Sequence, residues 1–120
     1  MPCFFLRYTL YDVRHTEFIM FIDTHCHLHF PDFDEDRGAV IARAQEAGVE
    51  ALVNVASDID GSFQSALLAE QYPCVYAAIG VHPHDAGNFD KAQLQRLKEL
   101  IRANKKIVAI GEIGLDYYRD

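Results

Sequence analysis

Basic residues are scarce in this chain: 11 Lys and Arg stand against 18 Asp and Glu, a formal net charge of −7. Modules that bind nucleic acid regardless of sequence neutralise phosphates with lysine and arginine, so this balance argues against that class. It still leaves room for a nucleic-acid substrate held through cations in a cleft. No run of about 18 apolar residues occurs, and no membrane-spanning helix is expected. The first nineteen residues carry Arg7, Asp12, Arg14 and Glu17, with Phe4-Phe5-Leu6 as their longest apolar run. That is too broken for the core of a signal peptide. Only three cysteines are present, Cys3, Cys26 and Cys74, an odd number at no metal-like spacing. They point to free thiols in a reducing, cytoplasmic setting. Glycine-rich phosphate loops of the GxGxxG or GxxxxGK kind are missing, which weakens nucleotide-cofactor readings. No nucleophile-elbow pattern surrounds Ser57, Ser62 or Ser65, so a serine hydrolase is unsupported.

What is present is enough apolar material for one domain: half of the 120 residues are hydrophobic. Short apolar runs rich in β-branched residues lie at 18–22, 51–55, 75–81 and 107–110. They do not alternate, as expected of strands buried on both faces. Three segments with helical signals separate them. The first starts near Asp34-Glu35-Asp36, carries Val40, Ile41, Ala44 and Ala47 at helical spacing, and stops at Gly48. The second follows Asp60, with Phe63, Ala66, Leu67 and Glu70 before Pro73. The third carries Leu94, Leu97 and Ile101 on one stripe, with Asn104 as its C-terminal cap. The order β-α-β-α-β-α-β calls for α/β architecture with a parallel sheet and right-handed crossovers. It fits either the first four strands of a TIM-type (β/α) barrel or a small open doubly wound sheet.

Residues capable of chemistry gather at the strand ends. His25 and His27 follow the first run, His82 and His84 the third, and Glu112 the fourth. In both architectures ligands bind beyond the carboxyl ends of the strands. Side chains two apart on a strand share a face, so His25 and His27 point together while Cys26 points away. Two imidazoles on one face form half of a divalent-metal site, or else a hydrogen-bonded pair closing a strand. Glu112, within Gly111-Glu112-Ile113-Gly114, is costly to bury unpaired; it can coordinate a metal or pair with an arginine such as Arg119. His82-Pro83-His84 can meet a substrate phosphate, shuttle a proton, or simply hydrogen-bond its own loop. Arg119 can clamp a phosphate or stand as an ordinary exposed charge. His29 falls beyond the strand, before Pro31. A hydrolytic metal site leaves a position open for water, lowers that water's pKa and polarises the ester oxygen.

Three motifs, FIDTHCHL (21–28), AAIGVHPH (77–84) and GEIGLDYYRD (111–120), together resemble the TatD family of metal-dependent hydrolases within the amidohydrolase-like barrels. The resemblance runs from about Met20 to Asp120 and makes residues 1–19 a nonhomologous leader or an overextended start. It implies a TIM-type barrel of which residues 20–120 are the amino-terminal half. It also implies two divalent ions (Mg, Mn or Zn) and hydrolysis of phosphodiester bonds in DNA with 3′-to-5′ polarity. By position, His25 and His27 match ligands of the first metal and Glu112 the carboxylate shared by both. His82 and His84 match the family's HPH loop, and with Arg119, singled out by its own chemistry, they are the expected substrate-binding residues. The remaining ligands that the resemblance implies, two histidines and the catalytic aspartate, belong to later strands beyond Asp120. The 120 residues alone are therefore expected to have little nuclease activity. Two other readings stand beside this one: a sibling esterase or deacylase acting on another substrate, and a non-catalytic metal-binding remnant. No oligomeric state is specified by the sequence.

Overall fold

The computed structural model describes residues 20–118. Four strands, β1 (Phe21–Cys26), β2 (Val49–Val55), β3 (Val75–Ile79) and β4 (Ile107–Ile110), alternate with three helices, α1 (Arg37–Glu46), α2 (Ile59–Gln71) and α3 (Lys91–Ala103). The strands form one parallel sheet in the order β1-β2-β3-β4, each added beside the last. This is the expected α/β chain order, and short 3-10 turns at Pro31–Phe33 and Pro83–Asn88 follow β1 and β3.

Local chemistry sets the element boundaries. Asp58 caps α2 by accepting from the Gly61 N–H, and Asp90 caps α3 in a capping box with Gln93. α1 starts where the acids at 34–36 place it, with Asp36 at the cap position before Arg37. Gly48 ends α1 with φ 94, and its N–H donates to the Gln45 carbonyl, a left-handed stop suited to glycine. Asn104 caps α3 and reaches α2 as well, donating to the Ala66 carbonyl and to Glu70.

The core lies between the sheet and the helices and is built from Ile41, Leu52, Ile59, Leu68, Val75 and Ile79 with smaller neighbours. Here the structure departs from the sequence pattern in two ways. The middle strands β2 and β3 are largely buried, whereas β1 and β4 are mostly exposed, Ile22 by 64% and Val108 by 55%. Each of these two strands has a single neighbour among the described residues, so half of its surface lacks cover. The helices also bury faces other than those periodicity suggests: α2 buries Ile59, Ser62, Ser65, Ala66, Leu68 and Ala69 but turns Leu67 outward, and in α3 Leu97 is the residue fully buried.

Candidate metal centre

β1 continues past its apolar run as far as Cys26, which puts His25 in the strand and His27 one residue beyond it. The alternation expected of a strand holds here. Cys26 turns inward, its thiol donating to the Val53 carbonyl, and burial together with nearby Asp23 pushes its pKa up to about 11. His25 and His27 turn to the rim with their Nε2 atoms 3.2 Å apart. His27 is fixed on two sides. Its Nδ1 lies 2.7 Å from the Val55 carbonyl, and Phe30 stacks on the ring at 4.8 Å with an interplanar angle of 6°. A carbonyl oxygen can only accept, so the Nδ1 of His27 carries the ring proton and its Nε2 presents a lone pair.

Glu112 arrives from the other edge of the sheet. In a flat sheet β1 and β4 stand about 14 Å apart, three strand spacings. The chain closes this gap after β4 by crossing back over its neighbours. The Gly111 N–H donates to the Ile79 carbonyl at the end of β3, and the Glu112 N–H donates to the Ala56 carbonyl at the end of β2. The crossing passes directly over Gly80, where a Cβ would stand 2.8 Å from the Glu112 carbonyl oxygen and 2.9 Å from the Gly111 carbonyl carbon. Only glycine leaves that space. Glu112 Oε1 thereby comes 3.1 Å from His25 Nε2.

One ligand atom each from His25, His27 and Glu112 falls within 4.8 Å of the others. Ligands about 2.1 Å from one ion and roughly 90–110° apart lie about 3.0–3.4 Å from each other. The His25–His27 and His25–Glu112 separations fall inside that interval. The donor set, two neutral imidazoles and one carboxylate, suits a divalent first-row cation or magnesium with positions left for water or substrate.

The third strand contributes a second group. The His82 N–H donates to the Ser57 carbonyl, and His84 follows Pro83 in the turn. His82 Nε2 and His84 Nε2 stand 3.7 and 3.5 Å from Asp116 Oδ2. Sequence reasoning singled out both histidines and passed over Asp116, whose only signal is its place four residues after Glu112 in the same rim segment. It also passed over Asn54, fully buried in β2. Asn54 accepts from the Leu28 N–H and donates to His29 Nδ1 and Ser65, holding the chain that leaves β1. His29 is buried in this network, where desolvation lowers its pKa, and it does not join the rim cluster. Arg119 and residues 1–19 lie outside the described residues.

The family model for TatD related DNases matches residues 22–120. The chain is 41% identical over 101 residues to the uncharacterized metal-dependent hydrolase YjjV of Escherichia coli K12, an alignment covering 83% of this chain and 39% of that protein. The crystal structure of YjjV superposes with a TM-score of 0.76 over 87% of this chain and 40% of that one, at 38% identity. YabD of Bacillus subtilis, also described as an uncharacterized metal-dependent hydrolase, is 44% identical over 84% of this chain and 39% of its own length. The 3′-5′ ssDNA/RNA exonuclease TatD of Cronobacter turicensis is 38% identical over 73% of this chain and 33% of that protein. The chain thus spans less than half the length of these relatives.

Proposed function

The chain belongs to the TatD-related DNase family, and from that membership we propose that it forms the cation-binding rim of a phosphodiesterase acting on single-stranded nucleic acid from the 3′ end. The observation that carries this reading is the convergence of His25, His27 and Glu112 from opposite edges of the sheet. These three residues would hold a divalent ion, and the two oxygens of the Glu112 carboxylate allow it to be shared with a second. A bound divalent cation supplies Lewis acidity to a phosphoryl oxygen and acidifies water. The rest follows from the chain's own groups. His27 offers Nε2 as a lone pair because the Val55 carbonyl holds its proton, Phe30 fixes the ring plane, and His25 shares its Nε2 face with Glu112. His82 and His84 face the substrate from the end of β3, and Arg119 is proposed to bind it as well. Cations at the rim reconcile a net charge of −7 with a polyanionic substrate.

The free thiols Cys26 and Cys74 support a reducing, cytoplasmic setting. Among the described residues no helix is long and apolar enough to cross a membrane. The acidic balance also favours a second reading, a hydrolase of small esters. The test is calorimetric titration of Mn²⁺ into the chain, followed by incubation with 3′-labelled single-stranded DNA and with small phosphodiesters. Cation binding lost in His27→Ala and Glu112→Gln is expected; cation binding unaffected by both variants would refute the assignment. Turnover of small esters with no affinity for DNA would select the second reading.

A further inference from the structure

His29 stands apart from the rim cluster, and its hydrogen bonding is half complete. The residue is only 8% exposed. Asn54 accepts from the Leu28 N–H through its carbonyl oxygen, so the group it turns to His29 Nδ1, at 3.1 Å, is its amide nitrogen. A ring nitrogen that accepts has its lone pair there, and the single proton of the neutral imidazole therefore sits on Nε2. That Nε2–H has no hydrogen-bond partner among the described residues. Every wholly buried side-chain nitrogen and oxygen among them has one, so Nε2 reaches solvent. The same edge of the ring abuts Gly61 in the first turn of α2, where a Cβ would stand 3.0 Å from Nε2 and 3.3 Å from Cδ2.

His29 lines a cavity of about 260 Å³ between the turn after β1 and α2. Gln64, Leu68 and Gln71 line it from the stripe of α2 that begins at Gly61. Opposite them Arg37 spends Nε and Nη2 on the Leu28 and Phe30 carbonyls and on Asp34 Oδ1. Its two Nη1 protons and Asp34 Oδ2 have no partner among the described residues. Pro31 and the exposed Leu67 add apolar walls. The Arg37–Asp34 pair is balanced in charge, so a phosphate or carboxylate drawn to Arg37 meets the repulsion of Asp34. A flat, uncharged group with a carbonyl beside a ring N–H suits every side. Its oxygen accepts from His29 or Arg37, its N–H donates to Asp34, and its faces rest on the apolar walls. Guanine, thymine and uracil carry that edge; adenine and cytosine put an amino group where the carbonyl would be.

We propose that this cavity is a nucleobase subsite that selects a keto base, guanine, thymine or uracil, on the nucleotide next to the scissile phosphate. This rests on the phosphodiesterase reading above. The His29 and His27 ring centroids are 6.0 Å apart, and Phe30 touches both, stacked on His27 and edge-on to His29. A strand with a phosphate at the His25, His27 and Glu112 centre therefore has a neighbouring base within reach of the cavity. The carbonyl and N–H it takes are the groups that base pairing occupies, so only an unpaired base can enter. His29 and Asp34 are specificity-determining residues in this scheme: an amino base leaves their polar groups unpaired.

The experiment titrates thymidine, 3-methylthymidine and 2′-deoxycytidine into the full chain without added metal. Nuclear magnetic resonance follows the side-chain amides of Gln64 and Gln71 and the ring nitrogens of His29. Thymidine is expected to shift these signals, and the other two to bind about tenfold more weakly, the loss of one charge-assisted hydrogen bond. Gly61→Ala is expected to weaken thymidine at least tenfold, because its methyl group stands against His29 Nε2, while alanine suits the helix better than glycine. Leu67→Ala, at an exposed position, is expected to weaken it several-fold with the fold unchanged. Unmoved Gln64 and His29 signals, equal affinity for all three nucleosides, or full affinity in Gly61→Ala overturns the subsite. No phosphate or metal takes part, so each of these outcomes leaves the phosphodiesterase reading standing. Thymidine seated at Gln64 in a chain with no Mn²⁺-dependent affinity for oligothymidylate overturns that reading, and with it the placing of the base beside a scissile phosphate. Long-range ¹⁵N correlations of the free chain are expected to show the His29 proton on Nε2; a lone pair there overturns the subsite.

Discussion

Gly80 decides where Glu112 goes. It contributes no side chain to the rim, yet the segment carrying Glu112 from β4 towards β1 passes where a Cβ would be. The obstruction is backbone, which cannot swing aside as a long side chain would. Gly80→Ala is expected to displace Glu112 and weaken Mn²⁺ binding at least tenfold while far-ultraviolet circular dichroism stays unchanged; calorimetry checks the affinity. Cys26 shows the opposite face of the same strand. With its pKa raised to about 11 by burial and Asp23, the thiol is nearly all protonated at pH 8. Its alkylation by iodoacetamide in chelator is expected to be about a hundredfold slower than that of glutathione, as peptide mass spectrometry would show. The sequence placed Cys26 inward and its histidine neighbours outward from strand alternation alone. It could not reveal the tautomers, because the partner that fixes His27 is the carbonyl of Val55, 28 residues away.

At the scale of elements, the clasp between β1 and β2 matters most for the centre. Asn54 is fully buried in β2 and joins the Leu28 N–H, His29 and Ser65. Asn54→Ala removes all three connections and strands buried polar groups without partners. It is expected to lower stability by about 2–4 kcal/mol in urea unfolding. Helix order, caps and stops were legible because they depend on neighbours in sequence: Gly48 ended α1 and Asn104 capped α3 as read. The buried stripe of α2 was not. Which residue of an amphipathic turn faces the sheet depends on the angle at which the helix lies across it, and the outward turn of Leu67 beside buried Leu68 reflects that packing.

For the whole molecule, the site ties together the two outermost strands of the sheet. β1 and β4 do not touch in the sheet order, but His25 on one meets Glu112 just past the other. An ion held there would link the two edges and stabilise the folded chain by mass action, about 2.7 kcal/mol at a hundredfold excess over Kd. Wild type should therefore gain thermal stability with added Mn²⁺, and His27→Ala should not, in a differential scanning experiment at neutral pH. Absence of any Mn²⁺ effect on the wild type would count against the centre.

The rhythm of short β-branched runs and helical stripes gave the α/β order from local propensity and periodicity, and strand alternation put His25 and His27 on one face. Motif spacing identified the family. These are properties of residues close together in the chain, and a sequence displays them directly. Tertiary structure alone decided the rest. It carried Glu112 over Gly80 to His25, fixed the proton of His27 through the Val55 carbonyl, and brought Asp116 to the HPH turn. Each of these depends on contacts or ring orientations that form when distant segments meet at the rim, and spacing along the chain does not encode them.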